Sequence, residues 1–381
     1  MTGREKIEAA FERGGTAELP AVICYEGIFI RDHWDRLAAE PWWVPYGPDL
    51  ERRVAVGREV MRKIGQDWFV LPGCPSRRER EDIAVEVRDD GVFRVDRRTG
   101  EEVRMDEPQV GGWWAKGTSP AHVTPPSGPG SIEEIDRHLG PDTQFDAQPF
   151  QASGRCDLAR RMLEGLGAEK FPIVHTNTPL WTCYGLWGFE GMMTRVAERA
   201  DLVAHACDRF LAQSIQRAEA GAALGAKGIW LEECMTDMVS PAAFEALNLP
   251  RLRRLVEEIR RLGMRSIYYY CGNPAGKWDL LLAAGADALS LEEGKKGFEI
   301  DIEEVVERVG GRCTVLGNLD AVGVLQNGTE GQLRAEIQRQ LAAGRKNGSR
   351  FIMSLGSPVT PDTPVERVRR YCDLVHELGR N

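Results

Sequence analysis

Side chains able to do chemistry recur along the second half of this chain: His175 and Asn177; Glu232, Glu233 and Cys234; Tyr269, Cys271 and Asn273; Glu292 and Glu293; Asn318 and Asp320; Ser354 and Ser357. An earlier pair, Tyr25 and Glu26, has the same character. Acids, thiols and amides gathered in one place suit metal binding or proton transfer. On that reading Glu232, Glu233, His175, Tyr184 and Tyr269 are candidate catalytic groups. Tyr25, Glu26, Asn177, Trp181, Asn318 and Asp320 are candidate substrate contacts. Cys271 is the sharpest single candidate. It closes the run Ile267-Tyr-Tyr-Tyr-Cys271, in which a period of two places Ile267, Tyr269 and Cys271 on one face. The glycine that follows leaves room for a ligand or metal to approach. Each residue also has a plainer reading: strand-end polar groups are usually satisfied by backbone, free thiols are usually small buried hydrophobes, and a lone strand histidine is more often a core residue than a base. Only their clustering favours chemistry.

The elements that must position these residues are short β-rich runs alternating with longer amphipathic stretches, the pattern of a parallel α/β sheet. Strands are expected at 172–176, 228–232, 265–271, 288–292, 313–317 and 351–355, with two earlier ones at 21–25 and 68–71. Eight strands are what a single (β/α)₈ TIM-type barrel requires, and such barrels carry their sites at the C-terminal strand ends. Between strands, 250–262 places Leu252, Leu255, Val256, Ile259 and Leu262 at helical spacing. Alternation at Ile83, Val85 and Val87, then Asp89-Asp90-Gly91, predicts a β-hairpin insertion over 82–114. The proline-rich stretch after it, within 115–150, reads as a loop or lid. The whole of 1–381 is expected as one barrel domain with an N-terminal extension.

Composition excludes several classes. Apolar residues at 42% and charged residues at 28% are ordinary globular usage, so an extended disordered chain is not expected. With 49 basic against 58 acidic residues the net charge is −9 and no basic block stands out, which argues against nucleic acid as a partner. Nine scattered cysteines do not form the framework of a small secreted protein, and no run is apolar enough for a signal peptide or a membrane span. A soluble, cytoplasmic protein with reduced thiols is the expectation, of undetermined oligomeric state.

Four strings carry a family resemblance: Gly317-Asn-Leu-Asp320, Ser354-Leu-Gly-Ser-Pro-Val-Thr-Pro-Asp-Thr-Pro-Val-Glu-Arg-Val368, Ser240-Pro-Ala-Ala-Phe244, and Pro179-Leu-Trp-Thr-Cys-Tyr184. Together they resemble the uroporphyrinogen decarboxylase superfamily, most strongly from about residue 170 onward. The porphyrin decarboxylases of that superfamily carry an arginine pair after the first strand; the matching stretch here holds Tyr25 and Glu26, and Arg31 does not restore the pattern. An octa-acid porphyrinogen would meet an acid where it needs a bidentate donor. The chain is closer to the corrinoid-linked branch of methylcobalamin:coenzyme M type, in which zinc is held by a His-x-Cys and a later Cys. Here Tyr269-x-Cys271 stands at the first motif and Ser357 at the second, so one of three ligands remains. The resemblance therefore implies a zinc site that is degraded, or rebuilt from Cys271 and an acid such as Glu292, 21 residues further on. It implies methyl transfer between a small methylated or methoxylated compound and a corrinoid (methylcobalamin) carried by a partner protein. The alternatives are metal-independent decarboxylation, with Tyr184 or His175 as proton donor, and a non-catalytic ligand-binding barrel.

Overall fold

The computed structural model describes residues 1–111, 128–294 and 297–380. Among them the strands are β1 (Trp68–Val70), β2 (Ile83–Arg88), β3 (Gly91–Asp96), β4 (Glu102–Met105), β5 (Phe171–Asn177), β6 (Gly228–Glu233), β7 (Arg265–Tyr270), β8 (Ala288–Leu291), β9 (Thr314–Leu316) and β10 (Phe351–Ile352). Seven of them form one parallel sheet in the order β1-β5-β6-β7-β8-β9-β10. Helices connect consecutive strands, so the sheet curls as in a TIM barrel. Its strands are apolar on both faces, as a sheet wrapped in helices requires; β8 and β9 are buried throughout.

The strand expected at 21–25 is not a regular strand, yet its residues close the gap between β10 and β1. Met353 N donates to Pro20 O and Val22 N to Met353 O, each at 2.9 Å, giving a parallel bridge from Ala21 to Met353. On the other side Asp67 N donates to Ala21 O at 2.8 Å. The remaining rungs come from side chains: Ala21 N donates to Asp67 Oδ2 at 2.7 Å, and Ile23 N to Gln66 Oε1 at 2.9 Å. Regular pairing stops because Tyr25, at φ 53, turns the chain into the helix Glu26–Asp32. The carboxylate and amide satisfy backbone donors that a longer strand would have paired.

Local signals explain the helices. Leu50–Ile64 starts where Asp49 accepts from Arg52 N and stops at Gly65, whose φ of 84 suits glycine alone. The helix expected over 250–262 is Leu249–Arg261, and it buries Leu252, Leu255, Val256 and Ile259 against the sheet. Within 82–114, β2 and β3 pair antiparallel across Asp89-Asp90, and β4 adds a third strand beyond the expected hairpin. This small sheet is not hydrogen-bonded to the large one. The segment read as a loop or lid over 115–150 lies outside the described residues up to 127. Its remainder is not loop throughout, because Ser131 and Asp146 cap short helices, Ile132–Leu139 and Ala147–Ala152. No helix among the described residues is long and apolar enough to cross a membrane.

Candidate active site at the barrel mouth

The period of two in β6 sends Trp230, Glu232 and Cys234 into the barrel and Leu231 and Glu233 outward. In β7 it sends Tyr269 and Cys271 inward and Tyr268 and Tyr270 outward. Glu232 pairs in register with Tyr269, so Cys234 and Cys271 fall side by side one step past the pair Glu233 and Tyr270, where Cys271 N donates to Glu233 O at 2.8 Å. The chain then turns away at once: Met235 has φ 60 and Gly272 φ 119. At Gly272 a Cβ would sit 2.5 Å from Asp237 Cγ, so only glycine permits the turn that leaves Cys271 facing the mouth.

Two thiol–carboxyl pairs result. Cys271 Sγ donates to Glu292 Oε2 at 2.9 Å, and Cys234 Sγ to Glu232 Oε1 at 3.4 Å. The two thiols also hydrogen-bond each other, and the Tyr25 hydroxyl bonds Glu232. Aromatic rings wall the cluster. Trp230 stacks on Tyr269 at 5.0 Å and on His175 at 5.9 Å, and Tyr25 meets both Trp230 and Tyr269 edge-on. Tyr269 Oη donates to Gly356 O at 3.1 Å, tying the β7 ring to the loop after β10.

Burial sets the protonation of this cluster. Desolvation raises the Glu232 carboxyl above its usual range against the hydrogen bonds from Cys234 and Tyr25, so it holds a proton more readily than a surface glutamate. His175 is exposed at its surface but lies deep among protein atoms, and desolvation lowers its pKa to about 4. Near neutral pH His175 is therefore an uncharged ring, able to accept a proton weakly and to stack, and not a proton donor of the imidazolium kind. The hydrogen bond with Cys271, and then burial, push the Cys234 thiol up.

The structure gathers Tyr25, Glu232, Tyr269, Cys271, Glu292 and His175, with Asn177 on the same face of β5 as His175. It separates the others. Glu233 points into the helix layer, fully buried, where Asn248 Nδ2 donates to it at 2.7 Å and Tyr268 Oη at 3.3 Å. Glu26 turns behind β1, accepting from Val70 N at 2.8 Å and from Gln66, beside a separate apolar cavity of about 200 Å³ that includes Phe69, Leu158 and Met162. Tyr184 donates its hydroxyl to Met235 O at 2.7 Å and packs against Trp181, so both brace the turn after β6. Asn318 donates to Ile300 O at 2.9 Å and pins the loop after β8; Asp320 accepts from Val322 N and Gly323 N, capping the turn that follows β9. Trp230 is a member of the cluster that the sequence reading does not name, and Cys234 is one it names without a role; the alternation used for β7, applied to β6, places both inward and Glu233 outward.

These residues do not fit the zinc site that the resemblance implies. Tyr269 uses its hydroxyl on a carbonyl and Ser357 Oγ donates to Glu293 Oε2 at 2.7 Å. Each thiol is turned to its own carboxylate, and no three His, Cys, Asp or Glu side chains among the described residues converge as a cation's ligand set.

The family model described as uroporphyrinogen decarboxylase (URO-D) matches residues 126–378. The chain belongs to the uroporphyrinogen decarboxylase family. Curated relatives named uroporphyrinogen decarboxylase include one from Thermodesulfovibrio yellowstonii, 24% identical over 61% of this chain and 59% of its own length. Another, from Solibacter usitatus, is 29% identical over 65% of this chain and 63% of its own length. The chain thus spans less than two thirds of the length of these relatives. Among solved structures, a methyltransferase from Methanosarcina mazei matches over 99% of both chains with a TM-score of 0.66 at 17% identity, which establishes the shared barrel fold. Within the family, the described mouth differs from a poly-acid binding site in its charge. The clustered side chains, Tyr25, His175, Trp230, Glu232, Cys234, Tyr269, Cys271 and Glu292, include no arginine or lysine. Arg31 is turned aside, its Nε donating to Asp32 Oδ1 at 2.7 Å.

Proposed function

We propose that this barrel transfers a methyl group from a small methylated or methoxylated compound to a corrinoid held by a partner protein docked over the mouth. The observation that carries this reading is the pair of carboxyls, Glu232 and Glu292, each hydrogen-bonded by a thiol in an aromatic-walled mouth whose clustered side chains, among the described residues, carry no cation. Such a site repels a poly-acid and accepts a neutral or cationic molecule against Trp230, Tyr25 and Tyr269. The corrinoid is the second substrate and supplies the methyl acceptor. This chain's residues manage the other product. When the methyl–oxygen bond breaks, the oxygen gains an electron pair, and Glu232, biased towards its protonated form, gives it the proton. Tyr25 holds that carboxyl in place. Family membership and the names of the curated relatives favour one other reading, loss of carbon dioxide from a non-porphyrin acid, with Glu232 protonating the carbon left behind.

A direct test mixes the purified protein with reduced free cobalamin and a panel of methoxyarenes and methylamines, following the cobalamin spectrum. Methylcobalamin should form with one equivalent of demethylated product. Release of carbon dioxide from an acid without any need for cobalamin would replace this reading by the second one. Uroporphyrinogen should not be consumed, and production of coproporphyrinogen would refute the charge argument.

A further inference from the structure

We propose that Cys234 and Cys271 are a reactive dithiol that closes to an intramolecular disulfide across the barrel mouth when a hydroperoxide oxidises it. Nine cysteines occur in the chain, and seven are buried; only Cys234 and Cys271 are partly exposed. These two are also neighbours in register at the ends of adjacent parallel strands, with side chains on the same face and thiols in hydrogen-bonding contact. Adjacent strands lie ~4.8 Å apart, within the ~4.4–6.8 Å Cα separation that a disulfide spans. Both residues are partly exposed, so a small peroxide can reach their sulfurs.

Cys271 is the attacking thiol, because its S–H already points at Glu292 Oε2, 2.9 Å away, which takes the proton. The sulfur attacks one peroxide oxygen, the O–O bond breaks, and the departing oxygen takes the proton from Glu292 and leaves as water, leaving a sulfenic acid on Cys271. Cys234 then attacks that sulfur, and its proton is passed through Glu232, its hydrogen-bond partner, to the sulfenic oxygen, which leaves as a second water. Two thiols and one hydrogen peroxide become one disulfide and two waters. The bond removes the thiol donors that Cys234 and Cys271 give to Glu232 and Glu292, so it alters the site already described. The inference stands whichever reaction that site performs, since it is read by mass and not by turnover.

Cys183 and Cys207 provide an internal control: their sulfurs are 3.5 Å apart but both residues are fully buried. The reduced protein is treated with a few equivalents of hydrogen peroxide, digested without reductant and mapped by mass spectrometry, with free thiols counted in parallel. A peptide linking Cys234 to Cys271 is expected, two hydrogens lighter, with the thiol count falling from nine to seven. In Cys234→Ser the disulfide cannot form, and dimedone should label Cys271. Persistence of all nine thiols, a Cys183–Cys207 or intermolecular link in its place, or a Cys234→Ser protein without dimedone on Cys271 would overturn the proposal.

Discussion

Glu232 and Glu233 are adjacent in sequence and share a strand, yet they occupy different environments. Glu232 looks into the barrel, partly open to solvent, with Cys234 and Tyr25 as partners. Glu233 looks into the helix layer, fully buried, with Asn248 and Tyr268 as donors. Both carboxyls are shifted upward by desolvation, so a raised pKa does not by itself mark the functional one. The face of the strand does, because only the inner face can meet a substrate.

The widest separation between the two should be in activity. Glu232→Gln keeps shape and hydrogen bonding but cannot supply the proton, so turnover should fall by roughly 10²-fold or more while the urea midpoint barely moves. Glu233→Gln should leave turnover within a few-fold. Equal losses in both variants, measured as kcat/KM on one substrate, would erase the distinction.

The next largest effect is in stability. Glu233→Ala strands the donors of Asn248 and Tyr268 in a sealed layer and should cost on the order of 2–4 kcal/mol, read from urea denaturation. Glu232→Ala, at a wetter site, should cost clearly less.

A pH series sharpens the contrast further. The Glu233 carboxyl moves from its ordinary 4.5 to about 7 in the fold, and Glu26 does the same. Between those two values the folded protein holds protons that the unfolded chain has released, so these groups make stability fall as pH rises from about 4.5 to 7. Above about 7 they add no further slope. Glu233→Gln and Glu26→Gln should each flatten that part of the profile, and a profile unchanged in both would show that neither carboxyl binds extra protons in the fold.

The smallest effect belongs to Tyr184. Removing its hydroxyl in Tyr184→Phe deprives Met235 O of its donor beside a residue at φ 60, which should cost about 1 kcal/mol and alter turnover only through looser placement of Cys234. A loss of activity as large as that of Glu232→Gln would return Tyr184 to the reacting groups.

Much of this was legible from residue order alone. Alternation of short apolar runs with amphipathic helices specifies a parallel barrel, because a strand buried on both faces and a helix buried on one leave different local patterns. The inward placement of Tyr269 and Cys271 follows from a period of two, which is a property of a single strand. The strings near Gly317 and Ser354 carry the family without any coordinates.

What the sequence could not decide was every relation between segments distant in the chain. Glu26 looks like a strand-end acid until Tyr25 bends the backbone and Gln66 and Val70, 40 and 44 residues on, claim both carboxyl oxygens. Tyr184 and Asn318 follow strands, as site residues do, but their polar atoms meet Met235 O and Ile300 O, partners set by how loops pack. The pairing of Cys234 with Cys271 depends on the register between β6 and β7, where a slip of one residue would turn one thiol out of the mouth. Local patterning fixes which way a side chain points along its own strand, whereas its partners are chosen by packing across the whole barrel, and that choice exists only in the folded chain.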